Sequence, residues 1–166
     1  MKFSLILLAG VVLAAPVLAQ APVFRDSTLS IDEAIVYTAQ GPSYYGDIRM
    51  KANGDGTFSL VQAQRHNLAV VDTVDVLVNK SNPVQVVVHI AGVQAVACAA
   101  LLEPAISRTD ATFTIVQAET MMKPGEVCMS LLATTPFSRD IKLDAEGLAP
   151  GRYSVNVNGK QASFTL

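Results

Sequence analysis

The chain has 166 residues, 51% of them hydrophobic and only 16% charged, with 12 basic residues against 14 acidic ones. A charged fraction below the roughly 25% of an average soluble protein, beside so large an apolar fraction, excludes a disordered chain or a charged coiled coil. It leaves one packed domain with at most a small appendage, and a net charge of −2 without any basic run argues against nucleic acid as a partner.

Met1-Lys2 and the apolar run Phe3 to Ala15, followed by Pro16 and Val17-Leu18-Ala19, form a signal peptide over 1–19 with a cut before Gln20. The run would reach about 20 Å as a helix, short of the ~30 Å hydrocarbon core, so no membrane span is expected to be retained. Residues 20–71 form a small β segment. Within it Ser30-Ile31-Asp32-Glu33 has the spacing of a helix-capping box, but the β-branched and aromatic cluster Ile35-Val36-Tyr37-Thr38 favours a strand. Tyr44, Gly46, Ile48 and Met50 alternate with Tyr45, Asp47, Arg49 and Lys51. Asn53-Gly54-Asp55-Gly56 then turns the chain into a second alternating run from Thr57 to Ala63, which predicts a hairpin. The Tyr44-Tyr45 pair is expected to be exposed, a first candidate surface for a protein or cell-envelope partner.

From Asp72 onward the pattern is a succession of short strands. Val74, Val76 and Val78 share one face; Val84, Val86, Val88 and Ile90 share the next, with His89 on its more polar side, and Gly92 is read as a strand end. Val93 to Leu102, which carries Cys98, is undecided between helix and strand. Thr112 to Ala118 alternates, with Phe113 and Ile115 inward. Phe137, Arg139, Ile141 and Leu143 face away from Ser138, Asp140 and Lys142. The last two strands, Tyr153 to Val157 and Ala162 to Leu166, join at Asn158-Gly159, a strong two-residue hairpin signal. Seven segments of this kind over 72–166 predict an all-β fold, an antiparallel immunoglobulin-like sandwich with an N-terminal β-hairpin extension. Tyr153, after the Gly147 to Gly151 connection, is placed to turn its hydroxyl back as a tyrosine corner.

Cys98 and Cys128 are an even pair in an exported chain, which favours a disulfide over two buried thiols. Met121, Met122 and Met129 beside Cys128 are soft donors that would suit Cu(I), the alternative of a periplasmic copper carrier; a bridged Cys128 would remove its thiolate from that set. No cofactor is expected. Neither GxSxG nor HExxH occurs, His66 reads as a loop residue, and Asn53, Asp55 and Thr57 mimic a calcium loop that lacks its closing glutamate. The expectation is therefore no enzyme. A peptidase inhibitor presenting sandwich loops is the other alternative, through Lys123-Pro124-Gly125 and Thr134-Thr135-Pro136, although the chain has no Trp to anchor one.

The run Pro83-Val84-Gln85-Val86, then Cys98 and Cys128, then Ile141-Lys142-Leu143-Asp144, then Gly147-Leu148-Ala149-Pro150-Gly151-Arg152-Tyr153-Ser154-Val155-Asn156-Val157-Asn158-Gly159, closing on Ser163 to Leu166, resembles the final domain of a group of uncharacterised bacterial exported proteins. The resemblance covers about half the chain. It implies an immunoglobulin-like sandwich with one disulfide and implies no activity; the GLxPGxYxVxVNG element also recurs in many unrelated bacterial sandwich modules, so it speaks of fold rather than function.

Overall fold

A computed structural model describes residues 21–38, 41–81, 83–122, 125–128 and 135–166. The signal peptide read over 1–19 and Met129 lie outside the described residues, as do Lys123, Pro124 and Thr134 of the two loops considered for peptidase inhibition.

The first sheet is a meander of β1 (Val23–Arg25), β2 (Thr28–Thr38), β3 (Gly41–Ala52) and β4 (Phe58–His66), in the order β1-β2-β3-β4. The β-branched cluster prevails over the capping-box spacing: Ile35 pairs with Tyr44 in an extended ladder and no helix forms. The β3–β4 hairpin closes where Asn53 donates its amide to the Thr57 carbonyl oxygen at 2.8 Å, and the Asp55 carboxylate accepts from Thr57 N at 3.0 Å and Thr57 Oγ1 at 2.6 Å. The residues that mimic a calcium loop are thus spent on fastening the turn. The pairing of β3 with β4 is irregular between Gly46 and Met50, and Asp47 there adopts φ 47°. The alternation survives this bulge: Tyr44, Gly46 and Ile48 are buried.

Seven strands follow among the described residues: β5 (Val70–Asn79), β6 (Gln85–Val93), β7 (Ala105–Thr109), β8 (Thr112–Val116), β9 (Pro136–Leu143), β10 (Arg152–Val157) and β11 (Lys160–Thr165). They divide into a sheet ordered β5-β6-β9 and a sheet ordered β11-β10-β8-β7. The alternating positions of both sheets meet in one core of Val71, Val86, Val88, Ile90, Phe113, Ile115, Ile141, Leu143, Tyr153, Val155, Val157 and Phe164. This is a β-sandwich. In β6, β8, β9 and β10 these are every second residue, so the pleat itself sorts apolar side chains inward. All described pairings are antiparallel except β8 with β10, which is parallel. The chain leaves β8 for β9 in the opposite sheet and returns to β10, and the two crossings restore its direction. The antiparallel expectation therefore gives way at that pair.

Gly92 does not end a strand, as the sequence suggested, but lies inside β6 opposite a shift in the β5 register between Val71 and Thr73. A Cβ at Gly92 would stand 2.0 Å from the carbonyl oxygen of Val70, so only glycine admits this approach of the two backbones. Gly159 and Asn158, at φ 98° and 47°, form the predicted tight turn between β10 and β11. Tyr153 donates its hydroxyl to the carbonyl oxygen of Ala149 at 2.7 Å, across the connection that leads into β10, and Gly151 exchanges backbone hydrogen bonds with Leu166.

The meander is seated on the sandwich. Tyr44 packs with Ala105, Val116 and Ala118, with Ile35, Leu68 and Leu102 at the margin. The segment after β8 and the β10–β11 turn bind the connection between the two parts: Glu119 N donates to Asn67 O at 2.9 Å, Ala69 N to Gln117 O at 3.0 Å, and Asn158 Nδ2 of the turn to Ala69 O at 2.8 Å.

Candidate functional site

Two side chains expected at the surface or in a loop prove to be parts of this junction. Tyr44 is 7% exposed and donates to Glu33 Oε2 at 2.5 Å, while its ring meets that of His66 edge-on with centroids 5.4 Å apart. Its exposure as half of a Tyr44-Tyr45 pair is thereby corrected: period-two alternation sends neighbours to opposite faces, and only Tyr45 turns away from the core. Burial first, then the hydrogen bond and the negative charge of Glu33, push the Tyr44 phenol well above its ordinary pKa. His66 is no loop residue. It ends β4, and its Nδ1 lies 2.9 Å from the carbonyl oxygen of Glu119. Tyr45 is half-buried and lines a shallow cleft with Thr38, Ser43 and Arg65.

Beneath the junction lies a polar seam that the sequence reading did not single out. Glu119 is fully buried, and its carboxylate accepts from Ala95 N at 2.6 Å and Val96 N at 3.0 Å, one amide for each oxygen. Gln117, also fully buried, donates to Leu102 O at 2.8 Å and accepts from Arg139 Nη1 at 3.2 Å, and the same Arg139 nitrogen donates to Leu102 O at 2.7 Å. Phe113, Ile115, Gln117 and Glu119 are every second residue, and polar types at the end of an inward series were the one available signal. The seam holds the 94–100 loop, whose Cys98 forms a disulfide with Cys128 at a Cα separation of 5.7 Å. Cys128 therefore offers no thiolate to a metal. Met121 is 40% exposed and Met122 half-buried. Among the described residues no three His, Cys, Asp or Glu side chains are grouped as a metal site.

The most suggestive chemical arrangement is on the outer face of β5-β6-β9. His89 pairs across the sheet with Asp75 on one side and Asp140 on the other. Its Nδ1 is 2.6 Å from Asp140 Oδ1, and its Nε2 is 3.3 Å from Ser138 Oγ. The order is that of a serine nucleophile, an imidazole base and an orienting carboxylate. The setting differs. His89 and Asp140 side chains are 40% and 69% exposed, so the pair is held in water rather than in an enclosed pocket that would strengthen its electrostatics. Neither histidine lines the clefts at Tyr45, at Tyr37 or at Arg152. The arrangement is a cross-strand hydrogen-bonded cluster in water.

The outer face of the other sheet has a different chemistry. Thr109, Thr112, Ser154 and Ser163 stand in one row across its four strands, and Ser107, Thr114, Asn156 and Gln161 in the next. Thr112 Oγ1 and Ser154 Oγ are 2.9 Å apart, and Arg152 Nη2 donates to Ser163 Oγ at 3.2 Å.

Residues 88–166 match the family model of the ORF11 beta-sandwich domain. The matched region begins inside β6 and runs through β11, so it takes in the polar seam and the hydroxyl rows and excludes β1 to β5. It supports the β-sandwich expected for the C-terminal part. Comparison with the curated proteins and with the solved structures finds no match.

Proposed function

We propose that this chain is a non-catalytic binding or structural module, exported through its first 19 residues to act in the periplasm, elsewhere in the cell envelope or outside the cell. The observation that carries this reading is the position of its best-ordered reactive groups. Ser138, His89 and Asp140 have the hydrogen-bond order for nucleophilic attack, yet His89 and Asp140 stand well exposed to water on an outer sheet face, and none of the three lines the clefts at Tyr45, Tyr37 or Arg152 among the described residues. Paired strands, one disulfide and a hydrogen-bonded polar seam support a scaffold whose surfaces engage something else. The disulfide fits an oxidising compartment, and among the described residues no helix is long and apolar enough to cross a membrane. The copper alternative loses a ligand to that disulfide.

A fluorophosphonate probe and a panel of ester and peptide substrates test the reading. The expected result is no labelling of Ser138, no turnover, and no effect of His89→Ala on capture of envelope material. Labelling that disappears in His89→Ala would overturn it.

A further inference from the structure

We infer that the outer face of β11-β10-β8-β7 is a docking surface for a neutral glycan chain, an assignment that rests on the binding-module reading and names its partner class. The two rows described above set neutral donors and acceptors on a grid. Strands are 4.7–4.9 Å apart, so each row spans about 14 Å, and successive rows are about 7 Å apart along the strands. A polyol presents hydroxyls that both donate and accept at comparable intervals, and hydroxyl and amide side chains are the groups that can answer in either sense.

The contrast between the two faces of the sandwich decides against a chance of composition. The outer face of β5-β6-β9 carries Asp75, His89, Asp140 and Lys142 among its residues. The two rows on the opposite face carry no ionisable side chain, and Arg152 stands beside them at one end. A neutral ligand loses nothing to unpaired charge there, whereas an anionic or cationic polymer would find almost nothing to pair with. Of these residues Thr109 and Gln161 are exposed and Thr114 is half-buried, so their polar groups remain within reach of a ligand on this face.

The meander adds an aromatic group at the border of the grid. Tyr37 is 56% exposed, and its hydroxyl lies 2.6 Å from Ser107 Oγ, the first residue of the second row. Tyr37 thus stands at the β7 edge and lines a cleft with Ile35, Ala105, Ile106 and Glu33, whose carboxylate already accepts from the Tyr44 hydroxyl. A pyranose has an apolar C–H face and a polar rim, and a ring held beside a hydroxyl array matches both. Tyr37 is a positioning and stacking residue in this arrangement; the rows supply the hydrogen bonds.

The test uses the full chain with cellulose, chitin, β-1,3-glucan and an α-glucan as insoluble probes, and the corresponding hexasaccharides in titrations. Retention on at least one of them is expected, undiminished in 1 M NaCl because no ion pair is involved. Tyr37→Ala and the double variant Thr112→Val/Thr114→Val are each expected to weaken it roughly tenfold or more with an unchanged circular dichroism spectrum, and His89→Ala to leave it unchanged. Failure of every probe to retain the chain, retention abolished by salt, or retention indifferent to both variants overturns the inference. Capture of an envelope protein without any glycan also overturns it while the binding-module reading stands, whereas hydrolysis of a probe would sink that reading itself.

Discussion

At the scale of single residues, the buried phenol of Tyr44 carries a pH dependence. Its folded-state pKa is raised, so its stabilising contribution is complete below the unfolded value of about 10 and declines as pH rises beyond it, because the unfolded chain then binds fewer protons. Denaturant melts of wild type and Tyr44→Phe between pH 8 and 11 are expected to differ by about 1–2 kcal/mol at the neutral end, from the lost bond to Glu33, and to converge toward the alkaline end. Gly92 is the other residue on which much depends. Gly92→Ala must displace the Val70 carbonyl, and we expect a loss of about 3 kcal/mol or more in chemical denaturation, with the β5 amides losing hydrogen-exchange protection first. The alternation around both residues was readable in sequence. The sense of each was not: an alternating Tyr carries no mark of which face is covered, and a glycine at a strand end looks like one under a bulge.

At the scale of elements, the 94–100 loop is held by a carboxylate. Glu119→Ala would leave the amides of Ala95 and Val96 without acceptors, which predicts a loss of about 2–4 kcal/mol. Glu119→Gln keeps one acceptor oxygen and should cost less, and the order of the two melts is the check. The β10–β11 hairpin shows a residue with two tasks. The positive φ of Asn158 shapes the turn, and its side chain binds Ala69 O and accepts from Gln117 N at 3.1 Å. Asn158→Gly preserves the turn and deletes the tie. Proteolysis at the Asn67–Ala69 connection should accelerate in that variant while the hairpin amides keep their protection. Asn-Gly announced the turn because positive φ is a local requirement. Its tie to Ala69, 89 residues away, depends on how two sheets come together.

For the whole molecule, the disulfide adds a covalent constraint on the unfolded chain. A closed loop of about 30 residues is worth roughly 3–4 kcal/mol on the chain-entropy account, and reduction under native conditions should lower the midpoint of unfolding accordingly. Titration of the unfolded, unreduced chain should find no free thiol, and Cu(I) competition no retained metal. Two thiols with bound copper would favour the carrier alternative.

What the amino-acid order determined by itself was everything carried by short-range pattern. Alternation placed Val86, Val88 and Ile90 inward, Asn-Gly and Asn53 to Gly56 turned the chain, and Tyr153 bent its hydroxyl back four residues; each depends on neighbours within a few positions. The tertiary structure alone decided that β8 runs parallel to β10, that Glu119 is buried against two amides, that Ser138 and Asp140 reach His89, and that eight neutral side chains from four strands fall into two rows. These are pairings across tens of residues, and register between distant strands is set by how the completed core packs, which no local window of sequence contains.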